Sequence, residues 1–455
     1  MQKHYHLIGI GGIGMSGIAK LLLQRDIKVS GSDLKETRLT EELRNLGAKI
    51  FIGHNPNNIK GADVIIYSSA IKPDNPEIQE AKRLGLPLVK RAQALAQLME
   101  DKVVITVTGS HGKTTTASLI SYLLLEADLF PTVAIGGILK NINNNVSLGK
   151  GDFFVAEADE SDSSFLYYRP KYSVITNIDY EHLDYYKEFE NLVFSFKEFI
   201  ERTSSDGCVF ACADDINLRK LLMDYKKRYV LFGLNPPADI YPKNIRIKGL
   251  SSEFDCFFKD RFAGRFSLAL GGMHNISNAL AVIALGFELG IDLTIVKKVL
   301  KDYKGSQRRI EIKFNEKDFL VIDDYAHHPT EIKATLAALR NINPKRLIAI
   351  FQPHRYTRTN LLAEEFVASF DLVDYLIITD IYPAGEDPID GVTATLIYDK
   401  IRPRLKDKPV YLLEKEKIIE HILKIIRPYD LVVTLGAGDI GKINDELVEA
   451  LKRKD

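Results

Sequence analysis

The chain has 455 residues, 45% of them apolar, enough for about three packed domains of roughly 150 residues each. Its 61 basic and 61 acidic side chains cancel, which argues against bulk attraction to nucleic acid or an anionic membrane. Three cysteines (Cys208, Cys212 and Cys256) make no disulfide framework, and no apolar run approaches the ~18–20 residues of a membrane span, so a cytoplasmic protein is expected.

In chain order, YHLIGI reads as a strand, GMSGIAKLLLQRD as a helix, IKVSGSD as a strand, LTEELRNLG as a helix and ADVIIYSS as a strand. This rhythm predicts a parallel sheet with helices on its faces. The stretch GIGGIGMSG places Gly9, Gly11 and Gly14 in G-x-G-x-x-G spacing, and Asp33 follows 19 residues after Gly14 at the end of the next strand. Glycines at a strand-to-helix turn let backbone N–H groups approach a diphosphate, where the helix dipole favours negative charge. The pattern therefore points to a nucleotide diphosphate more safely than to NAD, although a dehydrogenase is the alternative it raises.

A helix, RAQALAQLMED, leads to a new strand, VVITVTG, with a domain boundary near Asp101. Next comes TGSHGKTTT, where Val107 stands in place of the first glycine of G-x-x-x-x-G-K-[ST]. The chemical parts survive in Gly109, Ser110, His111, Gly112, Lys113, Thr114 and Thr115. Lys113 is expected to reach the β- and γ-phosphates of ATP, and Thr114 to hold Mg²⁺. The strand FFVAEAD delivers Glu157, and the strand YSVITNID delivers Asp179, Glu181 and His182. Open α/β sheets bind ligands at such C-terminal strand ends. The run GCVFAC, holding Cys208 and Cys212, reads as a buried strand.

The helices HNISNALAVIALGFELG and TIVKKVLKDY follow, then the turn GSQRR and a second boundary near Arg309. A third strand-and-helix series begins with FLVIDDYA and PTEIKATLAALRN. Asp323, Asp324, Tyr325, His327 and His328 follow a strand there, and His354, Arg355 and Arg358 follow another. Arg355 and Arg358, three apart, would share one face of a helical turn and clamp a carboxylate or phosphate. The expected domains are thus 1–101, 102–309 and 310–455.

The ordered set GIGGIGMSG, YSSAI, TGSHGKTTT, EADESDSSF, GMHNISNALAV, GSQRR, DDYAHHPTE, FQPHRYTRT, YPAGE and GAGDIGKI resembles the bacterial Mur ligases along nearly the whole chain. In that family the lysine loop is G-x-x-G-K-T, so the missing glycine is the family form. The resemblance implies three α/β domains: a Rossmann-like N-terminal domain, a central P-loop ATPase-like domain with a mostly parallel sheet, and a Rossmann-like C-terminal domain. It implies ligation of L-alanine to the carboxylate of UDP-N-acetylmuramate through an acyl phosphate, giving ADP and phosphate, in peptidoglycan synthesis. A recycling ligase that adds a tripeptide to the same sugar nucleotide is the alternative within the family.

The resemblance also implies residue roles. Gly11, Gly12, Ile13, Gly14, Ser16, Asp33, His54, Ser68 and Ser69 would lie along the UDP-sugar. Thr114, Glu157 and His182 would hold Mg²⁺. His274, Asn275, Asn278 and Arg309 would face ATP. Tyr325, His327, Arg355 and Arg358 would receive the amino acid and the reacting phosphoryl group, with His327 a candidate base. Lys197, 15 residues after His182, stands where other branches of the family carry a carbamoylated lysine, and an exposed unmodified lysine is expected here. A monomer or weak homodimer without nucleic-acid or membrane partners completes the expectation.

Overall fold

The structure is a computed structural model that describes residues 3–453 except Ser69, and of Asp184 the backbone only. Contacts divide it into two compact units, Met1–Phe232 with Ala281–Val299, and Gly233–Leu280 with Leu300–Asp455.

The first unit begins with β1 (His4–Ile8), α1 (Ile13–Leu23), β2 (Lys28–Asp33), α2 (Arg38–Asn45), β3 (Lys49–Ile52), β4 (Val64–Tyr67), α3 (Pro76–Arg83), β5 (Leu88–Lys90) and α4 (Arg91–Leu98). Its strands form a parallel sheet in the order β3-β2-β1-β4-β5. The order reverses beside β1, so the loop after β1 opens at a switch point, where α/β sheets bind ligands. Ile8, Ile65, Ile78 and Ala81 pack into one buried cluster of this region.

The unit continues with β6 (Val103–Thr108), α5 (Lys113–Glu126), β7 (Thr132–Leu139), β8 (Asn144–Ser147), β9 (Phe153–Glu157), β10 (Tyr172–Ile175), α6 (Leu183–Tyr186), α7 (Phe189–Glu201), β11 (Cys208–Cys212), α8 (Ile216–Met223) and β12 (Tyr229–Phe232). The strand order is β12-β11-β10-β6-β9-β7-β8. All pairs are parallel except β7 with β8. From Val104 to Thr108, β6 is buried without alternation, as a strand covered on both faces must be. Every residue of β11 is buried, Cys208 and Cys212 included.

The second unit holds an antiparallel meander, β13 (Ile240–Lys248), β14 (Ser251–Phe258) and β15 (Arg261–Leu268). The helices α9 (Met273–Glu288) and α10 (Leu293–Asp302) follow in the chain. A six-stranded sheet comes next, built from β16 (Glu311–Glu316), β17 (Phe319–Asp324), β18 (Arg346–Phe351), β19 (Tyr375–Ile378), β20 (Val410–Leu412) and β21 (Asp430–Leu435) in the order β16-β17-β21-β18-β19-β20. Only the β16 edge is antiparallel. Between β17 and β18 runs α11 (Pro329–Arg340), and α12 (Tyr356–Leu361) follows β18. Neighbours on β17 point to opposite faces: Val321 enters a core with Ile422 and Leu447, and Ile322 one with Leu336 and Ile397.

α2, α3, α8 and α11 are capped by the side chains of Thr37, Asn75, Asp215 and His328. α1 and α5 instead begin at Gly12 and Gly112 with no side-chain cap. Their first N–H groups are left to whatever binds the loop.

Candidate active site

The loop after β1 borders a cavity of about 490 Å³ lined by Gly9, residues 11–15, Asp33, Ser68, Ala70, Ile71 and Arg91. The Asp33 carboxylate accepts from the Gly11 N–H at 2.8 Å, which holds the loop closed. Ser16 is buried beneath it and donates to the Ile13 carbonyl at 3.0 Å. His54 lies off the lining, with Nδ1 3.1 Å from Ser32 Oγ. The Ser32 hydroxyl donates to the fully buried Glu77 at 2.6 Å, so His54 Nδ1 is the donor to it. Ser69 lies outside the described residues.

The lysine loop leaves β6 at the middle of its sheet, with β9 and β10 on either side. That strand order aims the residues after Glu157 and after Ile175 at the loop. Gly109 has φ +126°, and a Cβ there would stand 2.2 Å from Thr176 Oγ1, so only glycine fits. Lys113 Nζ folds back to donate to the Gly109 and Ser110 carbonyls at 2.6 and 3.1 Å and meets Glu160 at 2.9 Å. Burial disfavours its charge, but Glu160, Asp159, Glu181 and Glu157 outweigh that and hold its pKa above the usual lysine value. Thr114 Oγ1 lies 3.0 and 3.1 Å from the two oxygens of Glu157, which also accepts from the Gly136 N–H at 2.7 Å. His111 meets Asp179 at 2.9 Å.

His182 adopts a left-handed backbone, φ 58°, at the start of α6. Its ring lies 3.4 Å from Glu160 and 3.7 Å from Glu181. Burial lowers its pKa, but the bond to Glu160 and the charge of Glu181 raise it further, for a net upward shift. Glu160, Glu181 and His182 offer ligand atoms within 4.8 Å of one another, and Glu160 Oε2 is buried without a hydrogen-bond partner among the described residues. An oxygen-rich set with an orphaned carboxylate oxygen fits a hard divalent cation such as Mg²⁺. Glu160 was not singled out from the sequence. Its signal was present, since it stands three residues beyond Glu157 in EADE, but strand-end logic favoured Glu157 alone. Lys197 is exposed on α7, while Ser195 of that helix is buried.

In the second unit, Asn275 and Asn278 are buried one turn apart on α9, with the Asn275 amide donating to the Gly271 carbonyl at 2.8 Å. Beside them His274 has its pKa lowered to about 4 by burial and by the Arg309 charge. Arg308 and Arg309 each stand 5.2 Å from the centre of the Tyr325 ring, and Arg309 reaches Glu331 at 3.6 Å.

The residues after β17 and β18 come together as well. The rings of Tyr325 and His327 are 5.5 Å apart, those of His327 and His354 5.5 Å, and His354 stacks on Tyr382. Arg358 meets His354 Nδ1 at 3.0 Å. His327 Nδ1 lies 3.0 Å from the Tyr325 carbonyl and 3.3 Å from Glu331, both acceptors, so Nδ1 carries a hydrogen. One expectation is corrected: Arg355 does not share a helical face with Arg358. Arg355 precedes α12 with φ 69° because its N–H is tied to the Tyr382 carbonyl at 2.8 Å. Its guanidinium turns to Glu386 at 3.9 Å.

These features describe an α/β protein of the nucleotide-binding kind, with a lysine loop beside an acidic pocket and a separate glycine-rich loop. Three family models match in succession: the Mur ligase family catalytic domain over residues 4–103, the Mur ligase middle domain over 107–286, and the glutamate ligase domain of Mur ligases over 308–438. The chain belongs to the Mur ligase family and has its three-domain α/β fold. It is 44% identical over 447 residues to the UDP-N-acetylmuramate–L-alanine ligase of Geotalea uraniireducens, covering 98% of each chain. It is 45% identical over 448 residues to the same-named ligase of Aquifex aeolicus, covering 98% of this chain and 97% of that one. The crystal structure of the UDP-N-acetylmuramate–alanine ligase of Thermotoga maritima superposes with a TM-score of 0.84 at 30% identity over the whole of both chains.

Proposed function

We propose that the chain is an ATP-dependent ligase that joins L-alanine to the carboxylate of UDP-N-acetylmuramate, releasing ADP and phosphate, in peptidoglycan precursor synthesis. The observation that carries this is the lysine loop set between two acid-bearing strand ends, in a chain 44–45% identical over nearly its full length to ligases of that name. Residues 1–101 would hold the sugar nucleotide, 102–309 ATP and 310–455 the amino acid.

A carboxylate resists amines because its charge is delocalised and its leaving group would be oxide. Its oxygen attacks the γ-phosphorus of ATP, the bond to ADP breaks, and an acyl phosphate forms. Lys113 neutralises charge on the transferring group, and the uncapped N–H groups of α5 bind the phosphates. Thr114, Glu157, Glu160 and His182 would hold Mg²⁺, which supplies further neutralisation of phosphate charge when bound. The alanine nitrogen then attacks the acyl carbon, and phosphate leaves with the C–O pair of electrons. Arg355, now beside Glu386, and Arg358, now beside His354, would turn to meet the alanine carboxylate. His327 Nε2 suits the ammonium proton.

The dehydrogenase reading leaves the lysine loop, Glu157 and the third strand-and-helix series without a role. A phosphate-release assay with UDP-N-acetylmuramate, ATP and Mg²⁺ tests the proposal. L-alanine should stimulate release and yield ADP. Stimulation by the tripeptide L-alanyl-γ-D-glutamyl-diaminopimelate alone would replace this reading with the recycling ligase.

A further inference from the structure

A diphosphate bound by the first loop needs a cation, and the loop GIGGIGMSG contains none. Among the described residues lining its cavity, the single basic side chain is Arg91, the first residue of α4. Its guanidinium presses on the loop: a Cβ built at Gly14 would lie 2.7 Å from Arg91 Nη1. The guanidinium thus packs against the turn at Gly14, where a side chain would have to displace it. Arg91 Nη2 also stands 3.6 Å from Asp159 Oδ2. The two side chains are 29% and 44% exposed, and Arg91 lines the cavity with donors to offer.

We propose that Arg91 binds the diphosphate of the sugar nucleotide and that Asp159 is the positioning residue that aims its guanidinium. This rests on the sugar-nucleotide reading given above. Asp159 lies between Glu157, which meets Thr114, and Glu160, which meets Lys113. The same short segment after β9 thus touches the cation of one phosphate loop and the lysine of the other. A planar guanidinium beside a glycine turn matches two phosphoryl oxygens at once, whereas a monophosphate engages it less fully.

Calorimetric titration of the full chain with UDP and with UMP tests this. Wild type should bind UDP more tightly than UMP. R91Q should lose about 10- to 100-fold in UDP affinity, the size of a charge-assisted contact, and little in UMP affinity, so that the difference collapses. R91K should recover part of it, and D159N should weaken UDP a few-fold while sparing UMP. For R91Q, an unchanged melting temperature and unchanged affinity for an ATP analogue exclude a folding defect. Equal losses for UDP and UMP in R91Q, or no loss, would overturn the assignment. Wild type that binds neither nucleotide would instead remove the sugar-nucleotide reading beneath it.

Discussion

The two glycine loops of the first unit share one backbone device and differ in the charges around it. Each follows a buried parallel strand, begins a helix at a glycine, and leaves the first N–H groups without a side-chain cap. They differ in the charges brought to them. The loop at Gly9–Gly14 has a carboxylate, Asp33, tied to its own backbone and one cation at its edge. The loop at Gly109–Thr114 carries its cation within it, and Lys113 is surrounded by Glu157, Asp159, Glu160 and Glu181. The first arrangement suits a phosphate group that is held. The second suits one that is transferred, because a lysine and a dense set of acids can meet changing charge on the γ-phosphate together with a divalent cation.

Breaking the second loop should have the largest effect. Lys113→Ala is expected to lower alanine-dependent phosphate release by about 1,000-fold or more while UDP binding at the first loop stays unchanged. Retained turnover would erase the distinction between the loops. Glu160→Gln removes an acid partner from Lys113 and His182 together, and the Mg²⁺ concentration for half-maximal rate should rise about 10- to 100-fold. An unmoved Mg²⁺ requirement would take Glu160 out of the cation site. Gly14→Ala sharpens the comparison from the other side. It crowds Arg91 and should weaken UDP about tenfold, with ATP-analogue affinity unaltered.

The smallest effect lies outside both loops and reads in stability. His274 has a folded pKa lowered to about 4 against 6.5 unfolded, so the unfolded chain takes the proton first as pH falls. Its contribution is fully present above pH 6.5 and is lost towards pH 4. Asp324 is buried, and burial raises its pKa to about 6. Its contribution has the opposite sign: it is present below the unfolded value of 3.8 and lost as pH rises through 6. Melting curves of His274→Gln between pH 7.5 and 5 should therefore fall less steeply than those of the wild type. Parallel curves would show that the ring titrates alike in both states.

Much of the fold was legible because its signals are contiguous. Strand, glycine turn and helix at Gly9–Gly14 and again at Gly109–Thr114 follow from local backbone needs: positive φ, close approach of the chain, a helix start without a cap. The alternation of strands and helices likewise announced parallel sheets, and buried Cys208 and Cys212 behaved as small apolar residues in a strand. The pair of arginines was misread for an equally physical reason. A spacing of three implies a shared face only where the backbone is helical, and the link from Arg355 to Tyr382 holds that residue out of the helix.

The sequence by itself determined the two strand–glycine–helix turns, since each is encoded in a few adjacent residues whose dihedral requirements allow little else. Tertiary structure alone decided which acids and cations meet them. That β9 and β10 flank β6, that Glu160 joins Glu157 beside Lys113, and that Arg91 reaches across Gly14 all depend on strand order and side-chain direction. Those are set by burial of distant apolar surfaces against one another, and spacing along the chain carries no record of them.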